Sequence, residues 1–460
     1  MENSVRYHLI GIGGSGMSAI ARVLQCQGNT VTGSDRSESQ TTQKLRDLGI
    51  CIKIGHDASN IKDAGVVVFS AAIPDDNPEL AAAREQGIET IERSEMLGRL
   101  MREYPIRIAV SGTHGKTSTT AMIDQILHRA GLNPTSLIGS DIAELNGNAR
   151  CGGKEIFVTE ACEAFGSFLH LDPTIAVITN IDADHLDYYG DLEHVEEAFK
   201  QFAERVDPDG VVIVCSDNPR TKAAVAGSGR RMITYGVQGR PDYLANFVSV
   251  TEVHPSYNLL RVGLEMGSVR LKVPGEHNVL NSLAAAAVAA HLGVDMSSIQ
   301  SALLDFKGAE RRFEVVYDDK GIMVVDDYAH HPAEIKATIL GAKSGYQKKI
   351  MAIFQPHLYS RTKLMLDDFA SALSLADEVI VIPAYAAREK PADGVDGDSI
   401  VAKMLENGHD KVVFVTDKNE LAGIVRERLT EGTMALFMGA GDIGLISREL
   451  AASLSGGACC

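Results

Sequence analysis

The chain has no excess of positive charge: 44 Lys and Arg stand against 61 Asp and Glu, a formal net charge of −17. Nucleic acid and anionic membrane surfaces both demand a broad basic face, so neither is expected as a partner. Small anion pockets are local and survive that argument. The sequence also has no charged-then-apolar leader and no long uninterrupted apolar span. The nearest candidate, residues 283–294, is short, Ala-rich and interrupted by His291, and reads as a packed helix. Its seven cysteines show no CxxC spacing and their number is odd, which suits free thiols in a reducing cytoplasm rather than a disulfide framework. The terminal Cys459-Cys460 pair follows Gly456-Gly457 and reads as a frayed end rather than a lipidation tail. No low-complexity tract appears. What is present, 45% hydrophobic and 23% charged residues over 460 positions, is the composition of a globular cytoplasmic protein. A chain of this length predicts about two to four domains.

The strongest local signal is residues 108–118, an apolar run closing on Gly112-Thr113-His114-Gly115-Lys116-Thr117-Ser118. It predicts a strand, a tight glycine loop and a helix beginning near Thr117. Such a loop aims backbone N–H groups and a helix N-terminus at one point, where a polyphosphate sits. Lys116 is then the residue for the β- and γ-phosphates, and the Thr117 hydroxyl the one for Mg²⁺. The usual pattern has a glycine five residues before Gly115; Val110 is there instead. The plain alternative is a glycine-rich turn with an exposed lysine. The strand–loop–helix setting favours ATP.

Strands alternate with helical stretches over residues 1–105, at 7–12, 30–35 and 65–70, which predicts an α/β unit with a parallel sheet. A second unit, 106–310, begins with a strand at 106–111. It continues with buried strands at 156–160 and 175–180, then a more antiparallel-looking stretch at 247–253, 259–264 and 269–273. A third α/β unit, 311–460, carries strands at 322–327, 350–355, 378–382, 411–415 and 434–438.

The first unit has its own glycine loop, Gly11-Ile12-Gly13-Gly14-Ser15-Gly16, after a strand and before a helix predicted over 17–25. Asp35 ends the next strand. This is a dinucleotide fingerprint with its ribose-binding acid. Its glycines let a backbone approach a pyrophosphate, whatever the pyrophosphate carries, so a nicotinamide cofactor, a UDP-sugar and a purely structural turn all remain open here. Ser70 follows the third strand and is placed to line the same crevice. In the second unit, Glu160-Ala161-Cys162-Glu163 and Asn180-Ile181-Asp182-Ala183-Asp184-His185 follow buried strands, near where a Mg²⁺ carboxylate is wanted. Glu160 and Thr117 suit that ion. His185 is a less usual ligand and serves equally as a hydrogen-bonded cap, and Glu163 and Asp182 as solvated loop acids.

Four segments in collinear order resemble the Mur ligases, the ATP-dependent amide-forming enzymes of peptidoglycan precursor synthesis. They are Gly112–Thr117, Asn180 with Asp184-His185, Pro274-Gly275-Glu276-His277-Asn278 with Asn281, and Asp326-Asp327-Tyr328-Ala329-His330-His331-Pro332. Three more, 11–18, 308–314 and 354–357, resemble the branch that joins L-alanine to UDP-N-acetylmuramate. The resemblance implies three domains: a Rossmann-like UDP-binding domain, a P-loop-type ATPase domain and a Rossmann-like domain for the amino acid. It assigns Gly11, Gly13, Gly14, Ser15, Gly16, Asp35 and Ser70 to the UDP-sugar, so NAD is not expected. It implies ATP with two Mg²⁺ ions, one on Thr117 and Glu160 and another on His185.

By the same resemblance, His277, Asn278 and Asn281 face the adenosine, for which a helix cap is the alternative. Arg312, Asp327 and Tyr328 close over the nucleotide. His330 and Arg361 face the amino acid, the arginine offering its fork to a carboxylate; a core histidine and a surface arginine are the plain alternatives. The chain departs from the family at Leu358, where many members have arginine, and at Phe165, where an acid is common. Related ligases carbamylate a lysine about where Phe199 and Lys200 stand, so that role is not carried over. The rivals are a ligase that recycles a tripeptide onto the same UDP-sugar, a folylpolyglutamate-synthase-like enzyme, a nicotinamide-dependent dehydrogenase and a regulatory nucleotide-binding protein.

Overall fold

The computed structural model describes residues 5–250, 254–387, 389 and 395–456, and only the backbone of Asp187. The end of the strand predicted over 247–253 and the Cys459-Cys460 pair lie outside the described residues. The first sheet holds β1 (Arg6–Ile10), β2 (Thr30–Asp35), β3 (Cys51–Ile54), β4 (Val66–Phe69) and β5 (Glu89–Glu92) in the order β3-β2-β1-β4-β5. All four pairings are parallel. Leu9, Ile10, Val67 and Val68 are fully buried, as expected of strands covered on both faces. Strand order reverses between β1 and β4, so the loops leaving those two strands open onto one crevice. Four helices belong to this part: α1 (Ser15–Cys26), α2 (Gln40–Asp47), α3 (Pro78–Glu85) and α4 (Arg93–Met101).

The second sheet has ten strands: β6 (Ile106–Ser111), β7 (Thr135–Ile142), β8 (Gly147–Arg150), β9 (Ile156–Glu160), β10 (Ile175–Ile178), β11 (Val211–Cys215), β12 (Arg231–Gly236), β13 (Tyr243–Ser249), β14 (Ser256–Arg261) and β15 (Leu264–Arg270). Their order is β15-β14-β13-β12-β11-β10-β6-β9-β7-β8. β6 therefore lies between β10 and β9, parallel to both, and leads into α5 (Lys116–Arg129). The strand predicted over 259–264 is cut by a two-residue turn, Val262 (φ 49°) and Gly263 (φ 77°), the left-handed pair of a tight hairpin. Likewise, 269–273 is not a strand of its own: β15 ends at Arg270, ahead of Pro274. Residues 283–290 of the Ala-rich segment are buried within the helix Glu276–His291, whereas 292–294 follow its end and are not buried.

The third sheet comprises β16 (Glu314–Asp319), β17 (Ile322–Asp327), β18 (Lys349–Phe354), β19 (Glu378–Val381), β20 (Val412–Phe414) and β21 (Thr433–Met438), ordered β16-β17-β21-β18-β19-β20. Only the β16–β17 pair is antiparallel. Separate apolar clusters cover its two faces, one around Phe354, Phe369 and Leu436, the other around Ile353, Leu421 and Phe437.

The chain divides into two compact units. The first holds residues 1–246, 258–269 and 280–305, hence the first sheet and most of the second; the other holds 247–257, 270–279 and 306–460. One continuous core runs through the first unit, from Ile20, Leu24, Leu97 and Met101 to Phe157, Phe168 and Phe202. The expectation of free thiols needs correction. Cys26, at the end of α1, and Cys151, just after β8, form a disulfide across a sequence separation of 125 residues. Packing of α1 against the β7–β8 pair brings them together, so no short spacing announced the bond. Cys51, Cys162 and Cys215 are free thiols.

Candidate active site

Three loops leave the adjacent ends of β6, β9 and β10. The first turns through Gly112 (φ 133°) and Gly115 (φ 83°), conformations that favour glycine. Both are also crowded: a Cβ on Gly112 would stand 2.0 Å from Thr179 Oγ1, and one on Gly115 2.4 Å from Asn281 Oδ1. Asn180 braces the loop, accepting the His114 N–H at 2.8 Å and donating to the His114 carbonyl at 3.0 Å. The Asp182 N–H donates to Thr113 Oγ1 at 2.9 Å. The helix begins at Lys116, one residue before the predicted start, and Ser118 lies in its first turn.

Lys116 Nζ donates to the carbonyls of Gly112 (2.5 Å) and Thr113 (3.0 Å) and pairs with Glu163 at 3.0 Å. Burial by itself would lower its pKa, but the charges of Glu163, Cys162 and Glu160 override that, and the net shift is upward. Lys116 is an ammonium throughout the neutral range. Glu163 is no solvated loop acid: it is 3% exposed and its carbonyl accepts the Tyr189 hydroxyl at 2.5 Å.

Thr117 is buried in the first turn of α5, and a Glu160 oxygen accepts the Gly139 N–H. His185, in a left-handed conformation (φ 53°), has Nε2 4.0 Å from Glu163 and 3.9 Å from Asp184. It opens the short helix Leu186–Tyr189 without a side-chain cap bond. A threonine hydroxyl and a carboxylate form a donor set that Mg²⁺ accepts, since the ion prefers oxygen and fills its shell with phosphate and water. Phe199 is buried and Lys200 pairs with Glu197 at 3.2 Å, which gives neither a place among these loops.

The first glycine loop sits at the β1–β4 crevice. The N–H groups of Gly11 and Ile12 both bond the Ser34 carbonyl, and Gly13 N–H bonds Asp35 Oδ2 at 2.8 Å. Asp35 thus braces the loop. Gly14 precedes α1, whose first turn exposes Ser15 and contains Gly16. The segment after Ser70 lies close to the loop: a Cβ built on Gly11 would stand 3.4 Å from Ile73 Cδ1. Behind it lies a group the sequence did not single out. Glu79, fully buried, accepts from Ser34 Oγ (2.5 Å) and Asn60 Nδ2 (2.6 Å), with His56 Nδ1 at 3.3 Å and His8 Nε2 at 3.6 Å. Burial would raise its pKa, but the bonds from His8, Asn60 and Ser34 prevail and hold it at about 2.

The second unit holds the other predicted residues except Asn281, which belongs to the first. Neither Asn278 nor Asn281 caps the helix Glu276–His291; both lie inside it, and Asn278 Nδ2 donates to the Pro274 carbonyl at 2.7 Å. His277 packs beneath Gly275, where burial and then the Arg312 charge push its pKa down to about 4, so the ring is neutral. Asp327 accepts the N–H groups of Phe313 (2.8 Å) and Ala329 (2.7 Å), and burial lifts its pKa to about 6. It is positioned as a turn brace. Arg312 and Arg311 each lie 5.1 Å from the Tyr328 ring centre. Arg311, which the sequence did not suggest, bonds the Gly439 and Gly441 carbonyls.

His330 Nδ1 lies 3.0 Å from the Tyr328 carbonyl and 3.3 Å from Glu334. In the neutral ring the hydrogen bond to that carbonyl makes Nε2 the basic nitrogen. The rings of His330 and His357 are 5.8 Å apart. Arg361 lies in the helix Tyr359–Leu364, which Leu358 opens with φ 70°.

Family models match three successive segments: the catalytic domain of the Mur ligase family over 6–105, the Mur ligase middle domain over 110–289, and the glutamate ligase domain of Mur ligases over 311–441. The chain is 44% identical to a UDP-N-acetylmuramate–L-alanine ligase of Syntrophotalea carbinolica, covering 96% of this chain and 97% of that protein. It is also 44% identical to the protein of that name from Caldanaerobacter subterraneus, over 96% of each. Among solved structures, the UDP-N-acetylmuramate–alanine ligase of Thermotoga maritima superposes with a TM-score of 0.85 at 33% identity, covering 98% of this chain and 99% of the other. A murein peptide ligase from Psychrobacter arcticus shares the fold, with a TM-score of 0.73 at 24% identity over 99% and 100%. With three domains in family order and relatives matched end to end, this chain belongs to the Mur ligase family.

Proposed function

We propose that this chain joins L-alanine to the lactyl carboxylate of UDP-N-acetylmuramate, converting ATP to ADP and phosphate, in peptidoglycan precursor synthesis in the cytoplasm. The observation that carries the ATP half is the convergence of the loops after β6, β9 and β10 on the Lys116 ammonium. Relatives 44% identical over 96% of the chain support the substrate pair. In this reading residues 1–105 hold the UDP-sugar, 106–310 the ATP and 311–460 the amino acid.

The carboxylate attacks the γ-phosphate to give an acyl phosphate, and the alanine amine then displaces phosphate from the carbonyl carbon. Lys116 neutralises charge as phosphoryl transfer crowds anions together. Thr117 and Glu160 would hold one Mg²⁺ and His185 a second, and these ions supply further charge neutralisation. His277, Asn278, Asn281, Arg312 and Tyr328 serve the nucleotide. Arg361 meets the alanine carboxylate, and His330 takes the amine proton at Nε2.

The test is phosphate release from ATP with UDP-N-acetylmuramate, with and without L-alanine, beside glycine, serine, D-glutamate and the tripeptide. Release requiring both UDP-sugar and L-alanine is expected. Release with the tripeptide alone would transfer the chain to the recycling reaction, and none with any acceptor would remove the ligase reading.

A further inference from the structure

An ammonium has three N–H groups to donate. Lys116 directs two at the carbonyls of Gly112 (2.5 Å) and Thr113 (3.0 Å) and the third at Glu163 Oε1 (3.1 Å). All three donors are thus engaged within these loops, so a phosphate oxygen reaches the ammonium only by replacing one partner. The two carbonyls belong to a braced turn, in which the Thr113 N–H bonds the Asn180 carbonyl at 3.1 Å and the His114 N–H bonds Asn180 Oδ1 at 2.8 Å. Glu163 is held differently. Its backbone carbonyl is anchored by the Gly166 N–H at 3.0 Å and the Tyr189 hydroxyl at 2.5 Å, while its carboxylate leans on Lys116. The carboxylate is the exchangeable partner, an anionic oxygen standing where a phosphate oxygen would accept.

Displacement leaves that carboxylate uncompensated. Glu163 is 3% exposed, so bulk water does not take the place of the lysine. Its Oε2 lies 3.0 Å from the same ammonium and, among the described residues, accepts no hydrogen bond. His185 Nε2 is 4.0 Å from Oε1, and Asp184 lies 3.9 Å from that nitrogen. The charge of Glu160 is also felt at Lys116. Arg220, a cation that follows β11, is drawn to Glu196 at 3.2 Å and Asp182 at 3.9 Å. A nucleotide arriving alone sets several more negative charges against a buried carboxylate that has lost its partner, which is strongly unfavourable. A divalent cation entering with the phosphates balances both.

We propose that Glu163 decides which form of the nucleotide is accepted, the Mg²⁺ complex over the free anion. It holds Lys116 in the free protein, yields the ammonium to the phosphates, and then needs the divalent ion to balance its own charge. The proposal rests on the ATP reading of the Gly112–Ser118 loop. Glu163 is then the source of a coupling free energy between metal and nucleotide, which is reciprocal.

Calorimetric titration of the β,γ-imido analogue of ATP into the full-length wild type, Glu163→Gln and Glu163→Asp tests it, each in excess Mg²⁺ and in EDTA. The quantity read is the ratio of the Kd in EDTA to the Kd in Mg²⁺. In Glu163→Gln that ratio is expected to fall by about 10- to 100-fold, chiefly because binding in EDTA tightens. Glu163→Asp keeps the charge and with it most of the wild-type ratio. Unfolding temperatures without ligand check folding, and Glu163→Ala carries the test where the glutamine variant does not fold. A folded Glu163→Gln that weakens binding equally in both buffers, or leaves both values unchanged, overturns the proposal. So does a Glu163→Asp ratio as low as that of glutamine, which would assign the effect to shape rather than charge. Wild type that binds the analogue equally well in both buffers also overturns it, with the ATP reading intact. If wild type binds the analogue in neither buffer, the ATP reading falls and the proposal with it.

Discussion

Lys116 places its donors on two loop carbonyls and Glu163, so the ammonium is fixed in direction as well as in charge. Phosphoryl transfer gains most from such preorganised charge. Lys116→Ala is expected to lower kcat by about 10²-fold or more, with UDP-sugar affinity nearly unchanged; near-normal turnover in a phosphate-release assay would remove the assignment. Arg361→Ala is expected to raise the KM for L-alanine with little change in the KM for ATP, measured in the same assay. Glu79 makes a different prediction. Its pKa of about 2 lies below the ordinary glutamate value of about 4.3, so its stabilisation is complete above that value and is lost as pH falls toward 2. Glu79→Gln should therefore flatten the acid limb of the wild-type stability curve, read from denaturant midpoints between pH 5 and pH 2; an unaltered limb would show the carboxylate to be idle. Lys116 was legible because its chemistry is encoded in consecutive residues. Glu79 was not, because Ser34, His56 and Asn60 meet it only after β2 and α3 have packed. The family motif assigns Asp327 to the nucleotide; its oxygens also accept backbone N–H groups, a local bond that a motif does not reveal.

At the scale of elements, both glycine loops are held by the strand beside them. The first is tied to β2 through the Ser34 carbonyl and Asp35, and a Cβ on Gly13 would stand 2.8 Å from Asp35 Oδ2. A bulky residue there must push the carboxylate away and break the Gly13 N–H bond. Gly13→Val is accordingly expected to raise the Kd for UDP-sugar by about tenfold or more while leaving ATP affinity in place. Isothermal titration of each ligand checks this, and a loss confined to ATP would invert the domain roles. The buried strands announced themselves as runs of β-branched residues, so β2, β6, β9 and β17 fall where the sequence placed them. The edge strands β3 and β5 did not, because Lys53, Glu89 and Glu92 break the apolar pattern that burial on two faces imposes. β7 and β8 escaped for another reason. They turn through Asn146 and Gly147 without a long apolar run, although this pair is what receives α1.

At the scale of the whole molecule, α1 is fastened to the second sheet. Asn148 Nδ2 bonds the Ser15 carbonyl at 2.6 Å, Arg22 donates to the Asn146 carbonyl at 2.9 Å, and Cys26 is joined to Cys151. With Lys44 and Asp141 2.5 Å apart, these links and the shared apolar core explain why two sheets with separate motifs form one compact unit. Sequence motifs foretold the succession of sheets, but not this merger, which depends on contacts between residues 97 to 133 positions apart. A cross-link closing so long a loop restricts the unfolded chain most, by about 3–5 kcal/mol where the native geometry is unstrained. Cys151 is exposed at the surface, so a small thiol reaches the bond. Dithiothreitol is therefore expected to lower the unfolding temperature of the wild type, and Cys26→Ser should start at the lowered value and respond no further. Non-reducing peptide mapping should recover Cys26 joined to Cys151, with Cys51, Cys162 and Cys215 open to alkylation after unfolding. If reductant shifts wild type and Cys26→Ser alike, or Cys26 is recovered alkylated without reduction, the covalent tie is absent. The merger then rests on the core and the polar bonds from Asn148, Arg22 and Lys44 alone.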